Sequence, residues 1–225
     1  MNEKRIAVLI SGNGSNLQAI LNACAQGEIP ARVVRVISNK ADAYGLERAR
    51  RAGVETTVLD HRQFQSREAF DQAMQAILDA DQPNIIALAG FMRILTPDFV
   101  AHFMGRMINI HPSLLPKYPG LNTHSRALEA GDSEHGCSVH FVTAEVDGGP
   151  VIIQGVTAIQ PNDDASSLQA RVHQLEHQIY PLALRWMVEG RLRLSSSGVV
   201  QWDGRDILSP AVVSQGGDLR YPVTR

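Results

Sequence analysis

The stretch Arg5-Ile6-Ala7-Val8-Leu9-Ile10-Ser11-Gly12-Asn13-Gly14-Ser15-Asn16-Leu17 changes character twice. Arg5 to Ile10 is aliphatic and β-branched, Ser11 to Ser15 is glycine-rich, and from Asn16 onward Leu17, Ile20 and Leu21 recur at helical spacing. A strand, a tight loop and a helix in that order open a βα unit. Gly12 and Gly14 let the backbone approach a ligand closely, and Ser15 and Asn16 fall where free N–H groups and the helix dipole favour an anion. Gly14, Ser15 and Asn16 are therefore candidate phosphate-binding residues; a plain connecting turn is the alternative. The loop lacks the third glycine of the dinucleotide fingerprint and the Gly-Lys-Ser/Thr of a nucleoside triphosphate loop. Val33 to Ile37, which should lead to an acidic ribose-binding residue, leads to Ser38-Asn39-Lys40. One phosphate on a smaller molecule is expected, rather than NAD or ATP.

The alternation continues. Val33 to Ile37 reads as a strand, Gly45 to Ala52 as a short helix, Glu55 to Leu59 as a strand, and Arg67 to Ala80 as a helix capped by Ser66. Ile85 to Ala89 is a fully apolar strand, and Thr96-Pro97 starts another helix, with Thr as cap and Pro at the first position. Repeated βα units predict an α/β fold, a mostly parallel sheet with helices on both faces. Ligands bind such sheets beyond the carboxyl ends of the strands, where the loops after Ile10, Ala89 and Ile110 would all lie. The loop Gly90-Phe91-Met92-Arg93-Ile94-Leu95 carries four apolar side chains outside any clear element. They either pack beneath the next helix or line a slot for a flat ring.

Met107-Ile108-Asn109-Ile110 is a further strand, broken by His111 and by Pro112, Pro116 and Pro119. Residues two apart on a strand share a face, so the Asn109 amide and the His111 imidazole converge at its end. An amide N–H can hold a developing oxyanion and an imidazole can move protons at neutral pH, a pairing suited to acyl transfer. Further on, His124 to Ala130 reads as a helix and Cys137 to Val142 as a strand. Glu145-Val146-Asp147-Gly148-Gly149-Pro150 reads as a turn, in which Asp147 could also be a carboxylate that orients and charges an imidazole. Asp163 is the expected cap of a long helix, Ala165 to Glu189, kinked at Pro181, with Leu168, Val172, Leu175, Ile179, Leu182 and Trp186 on its apolar stripe. Glu176 on that helix could reach a hydroxylated ligand or face solvent. Residues 191–202 suggest a small hairpin, and Leu208 to Arg225 a polar, partly disordered tail.

At 225 residues and 44% hydrophobic content the chain suits one large α/β domain. A net charge of -2, with Lys and Arg scattered, offers no electrostatic footprint for nucleic acid. Ile6 to Ile10 is too short for a signal sequence or a membrane span, so a cytoplasmic protein without membrane association is expected. Cys24 and Cys137 are too few for a disulfide framework, and no metal-binding motif is present; no metal is expected.

Four ordered motifs resemble the folate-dependent formyltransferases of purine biosynthesis: Ile10 to Asn16, Leu88 to Arg93, Asn109 to Pro116, and Val146 to Pro150. The resemblance spans about residues 5 to 193. It implies a formyltransferase fold, the Rossmann-like sheet continuing into an antiparallel element in the C-terminal half. The expected organisation is one domain over 1–193, a phosphate-binding half of about 1–105 and a catalytic and folate-side half of about 106–193, with a tail at 194–225. It also implies transfer of the formyl group of 10-formyltetrahydrofolate, a co-substrate, to the amine of glycinamide ribonucleotide through a tetrahedral intermediate. Asn109, His111 and Asp147 match catalytic positions, Gly14, Ser15 and Asn16 the phosphate cradle, and Glu176 the ribose contact. Arg67, Met92, Arg93, Ile94, Leu95 and Asn109 match the folate site. Asn122 and Ala144 depart from the pattern, where His and an acidic residue are usual. A formyltetrahydrofolate deformylase is the competing reading, with water as acceptor. A phosphosugar-binding protein without catalysis is the reading from another class. The partners expected are these small molecules, in a monomer or homodimer.

Overall fold

The computed structural model describes residues 3–225. Its main sheet is mixed and mostly parallel, and a second sheet of four strands is antiparallel. The chain divides into two compact units, residues 1–109 and 110–225.

In the first unit β1 (Lys4–Ile10), β2 (Ala31–Ser38), β3 (Glu55–Val58), β4 (Ile85–Leu88) and β5 (Met107–His111, whose last two residues open the second unit) lie in the order β5-β4-β1-β2-β3, all parallel. The helices α1 (Ser15–Ala25), α2 (Tyr44–Arg51), α3 (Arg67–Asp81) and α4 (Pro97–His102) alternate with them. Ile6 to Ile10 are all 0% exposed, which is why this strand shows an unbroken apolar run instead of alternation. The order reverses between β1 and β4, since the chain moves outward to β3 and returns to the other side of β1. The carboxyl ends of β1 and β4, at that reversal, are the position where such sheets take ligands. Ser66 caps α3 by accepting from Ala69 N at 3.1 Å, and Thr96 caps α4 by accepting from Phe99 N at 3.3 Å, with Pro97 in the first turn.

In the second unit β6 (Glu134–Phe141) and β7 (Val151–Ala158) pair antiparallel, and α5 (Thr123–Glu129) and α6 (Ala165–Val188) complete its helices. Gly136 and Gly155 allow the closest approach: a Cβ on Gly136 would lie 1.8 Å from Gly155 O. The cap of α6 is Asp164, not Asp163. Asp164 accepts from Ser167 N at 2.7 Å while Ser167 Oγ reaches back to Asp164 N, a reciprocal capping box. Asp163 instead binds the Arg171 guanidinium, 2.8 Å from Nη1, which holds its carboxyl well below the usual range. Pro181 lies inside α6, and beyond it Ala183 and Leu184 are buried while Leu182 is half-buried.

The tail is the larger correction. After the expected hairpin β8 (Leu192–Leu194) and β9 (Val200–Trp202) come β10 (Arg205–Ser209), β11 (Ala211–Ser214), β12 (Leu219–Arg220) and β13 (Val223–Thr224). β11 joins the main sheet parallel to β7, β12 pairs with β11, and the second sheet runs β13-β10-β9-β8. Ordered hydrogen-bonded strands stand where a partly disordered segment was expected. No helix among the described residues is long and apolar enough to cross a membrane.

Candidate active site

His111 ends β5 and is 6% exposed. Its Nδ1 lies 3.4 Å from Asp147 Oδ2, and its Nε2 lies 2.9 Å from the carbonyl of Tyr118. Each ring nitrogen thus faces an oxygen, so the ring can carry a proton on either side. Asp147 has a left-handed backbone, φ 53°, which an Asp tolerates better than most residues. Its Oδ2 also accepts from Gly120 N at 2.9 Å, fixing the carboxylate between the Pro-rich loop and the imidazole. Oδ1 lies 3.8 Å from Nε2 of His140, a buried residue of β6. The His140 Nδ1–H donates to Phe141 O at 2.9 Å, and burial pushes this imidazole below its ordinary range. His140 was missed in the sequence; the available signal was a polar ring inside the apolar run Cys137 to Phe141.

The loop carrying Tyr118 is held from below. Ser138 Oγ donates to Ser113 O at 2.7 Å and accepts from Leu115 N at 3.0 Å, while Gln154 Nε2 donates to Leu115 O at 2.9 Å. Thr123 Oγ1 donates to Pro112 O at 2.6 Å. These bonds keep a helix-forbidding stretch in one conformation beside His111. Asn109, two residues earlier on β5, is half-buried. Glu176 is 4% exposed on α6, so the solvent-facing alternative for it falls away. Its charge adds to burial in raising the Cys137 thiol well above its usual range.

In the first unit, α1 starts at Gly14, whose φ of 76° places Ser15 and Asn16 in the first helical turn with no side-chain cap and no acidic residue there. A Cβ on Gly14 would lie 2.7 Å from Gly45 Cα, so α2 packs directly on the turn. Arg48 of α2 clamps it, with Nε 2.9 Å from Asn13 O and Nη2 3.0 Å from Asn13 Oδ1. A helix N-terminus with its dipole and a nearby guanidinium together suit an anion. Arg48 and Gly45 carried no sequence signal, because their contact depends on how α2 meets α1. Along the loop after β4, Met92 and Ile94 are 59% and 56% exposed whereas Phe91 and Leu95 are buried. Of the loop's four apolar side chains, two are buried and two remain outside, with half-buried Arg93 between those two. Arg67 is exposed at the start of α3, its charge acting on the buried Asp71.

The family described as formyl transferase matches residues 4–184. Phosphoribosylglycinamide formyltransferase of Escherichia coli (strain K12) is 57% identical over 189 residues, covering 84% of this chain and 89% of that protein. The Haemophilus influenzae protein of the same name is 52% identical over 194 residues, 86% of this chain and 92% of its own. The solved structure of phosphoribosylglycinamide formyltransferase from Coxiella burnetii, in complex with CHES, superposes with a TM-score of 0.88 at 51% identity, covering 92% of this chain and 96% of that one. By sequence and by fold, this chain belongs to the formyl transferase family, as a one-carbon transferase of the phosphoribosylglycinamide formyltransferase kind.

Proposed function

We propose that the protein transfers the formyl group of 10-formyltetrahydrofolate to the glycine amine of 5-phosphoribosylglycinamide, in the cytoplasm, as a step of purine biosynthesis. The observation that carries the chemistry is the His111–Asp147 contact of 3.4 Å, fixed by Gly120 and shielded from solvent. The substrate amine attacks the formyl carbon to give a tetrahedral oxyanion. Asn109 donates to that oxygen, as does His111 through Nε2 once the substrate oxygen takes the place of the Tyr118 carbonyl, while Asp147 holds the imidazole at Nδ1. The amine proton then passes to the folate nitrogen as the old C–N bond breaks, with His111 as carrier, directly or through water. A new C–N bond replaces the old one, and no covalent enzyme intermediate is required. Gly14, Ser15 and Asn16 take the phosphate, and Glu176 accepts from the ribose hydroxyls. The pterin is read by Asn109 and by the loop from Met92 through Arg93 and Ile94 to Leu95, with Arg67 toward the acidic end of the folate. The exposed apolar side chains of Met92 and Ile94 fit such a ring.

Incubation with 10-formyltetrahydrofolate, with and without glycinamide ribonucleotide, tests the assignment. Tetrahydrofolate release that depends on the ribonucleotide is the expected result. Release at the same rate in its absence would make the protein a deformylase, and no release would leave only binding.

A further inference from the structure

The Ser11 hydroxyl joins three loops at the carboxyl end of the first unit's sheet. Ser11 follows β1, Asn39 follows β2 and Met92 lies beyond β4, three strands adjacent in the order β4-β1-β2. Ser11 Oγ donates to Asn39 Oδ1 at 2.5 Å and accepts from the main-chain N–H of Met92 at 2.8 Å. With its one proton committed to Asn39, the hydroxyl is not a free rotor, and its lone pairs stay aimed at Met92. Both side chains are buried, Ser11 at 4% and Asn39 at 3% exposure. Asn39 is steadied in turn by His61, beyond β3, with Nδ2 3.5 Å from Nδ1.

The loop after β4 is tied again at its far end, where Thr96 N donates to the buried Asp71 carboxylate at 2.6 Å. Between the two ties, Met92 and Ile94 stand exposed. A backbone anchored in the core by both ties holds these two apolar side chains in a fixed arrangement, so that a ligand meeting them has less of the loop left to order.

We propose that Ser11 is a positioning residue for the formyl donor: its hydroxyl fixes the Met92 amide, so that residues 90–96 meet the folate ring already in their bound conformation. This rests on the assignment of that loop to the folate made above. Ser11 itself touches no reacting atom; it acts through Met92.

The test uses the full-length protein with three measurements: KM for each substrate, thermal stability, and hydrogen exchange of the Met92 amide. Ser11→Ala removes both hydrogen bonds. The donor KM should rise about tenfold, the scale of one lost hydrogen bond, while the ribonucleotide KM moves less than twofold. Asn39→Ala, which leaves the Ser11 hydroxyl in place but free to rotate, should give a smaller rise of the same sign. A donor KM unchanged in folded Ser11→Ala, or both KM values rising together as melting temperature falls, overturns the proposal. If wild type transfers no formyl group, the functional assignment fails by itself. Met92 exchange then judges the tie alone: acceleration in Ser11→Ala supports it, and unchanged exchange overturns it.

Discussion

Asp147 combines a left-handed backbone with a carboxylate engaged on both oxygens, facing His111 and Gly120 through Oδ2 and His140 through Oδ1. Asn tolerates the same φ and its carbonyl oxygen can still accept from Gly120 N. Asp147→Asn therefore removes the charge while keeping shape and turn. Turnover should fall by roughly 10²- to 10⁴-fold, the range of positioned acid-base groups, with melting temperature little changed. Combining it with His111→Ala should cost little beyond the worse single variant, since groups acting as one unit are not additive. Independent multiplicative losses, or near-normal turnover per folded molecule, would reduce Asp147 to a turn residue. Gly14 makes the complementary case in the turn proposed for the phosphate, since it carries no charge at all. A Cβ there would lie 2.7 Å from the Gly45 Cα, a backbone atom, and its φ is 76°, so Gly14→Ala must part α2 from the 12–16 turn. Ribonucleotide affinity should drop by about tenfold or more, the cost of misplacing a preorganised backbone cradle. Unchanged affinity, by calorimetric titration, would show that the turn does not hold the phosphate.

At the scale of elements, α5 meets β6 through two histidines. His124 Nδ1 lies 3.1 Å from His135 Nε2, a hydrogen bond that requires one ring to donate and the other to accept. Burial, reinforced by the charges of His173 and His111 at His124 and of His124 and His111 at His135, lowers both rings from the ordinary 6.5 to about 4. For a depressed imidazole the unfolded chain binds the proton first. Between about pH 6.5 and 4 it therefore holds more protons than the native state, and stability falls as pH falls; above that window these rings contribute no slope. The slope is at most about 1.4 kcal/mol per pH unit for each ring, and less where solvent screens it. Melting temperatures of wild type and His135→Gln across pH 7.5 to 4.5 should diverge in steepness, the variant being flatter; parallel curves would refute the assignment. This contact also shows what a sequence can disclose. β1, β2, β4 and β5 were legible because each is rich in apolar residues and followed by a turn, β3 because Thr56, Thr57 and Val58 are β-branched, and the caps Ser66 and Thr96 because their bonds are local. The placing of Asn109 and His111 at the end of one strand, and of Ser15 and Asn16 at the start of a helix, was legible for the same reason. The His124–His135 bond, the Arg48 clamp and the place of His140 depend on tertiary approach, and no spacing encodes them.

On the scale of the whole molecule, the family match ends at residue 184 while the chain continues as six short strands. They were illegible because strands of two to five residues, punctuated by Gly and Pro, bury too few positions to show a period, and because β11 finds its partner in β7, far away in sequence. That partner explains their use. β7 pairs with β6 on one side, and β11 covers the other with Ala211 to Ser214 alongside Ile153 to Val156. Without it β7 would present a row of unpaired backbone groups to any second chain. The same segment covers the end of α6: Trp186 packs edge-on against Trp202 at 4.7 Å, Tyr221 lies 5.8 Å from Trp202, and the Arg191 guanidinium sits 4.3 Å over the Trp202 ring. Truncation after Gly190 should therefore do two separable things. Uncovering the aromatic cluster lowers the melting temperature, and uncovering the β7 edge promotes self-association. Trp202→Ala isolates the first effect, at about 3–5 kcal/mol for a buried aromatic, and should leave the protein in its wild-type association state. Light scattering during size exclusion reads the second. Truncated protein that keeps the association state of Trp202→Ala would show that β11 does not guard the edge, and an unchanged melting temperature in both variants would show that the tail is dispensable to the fold.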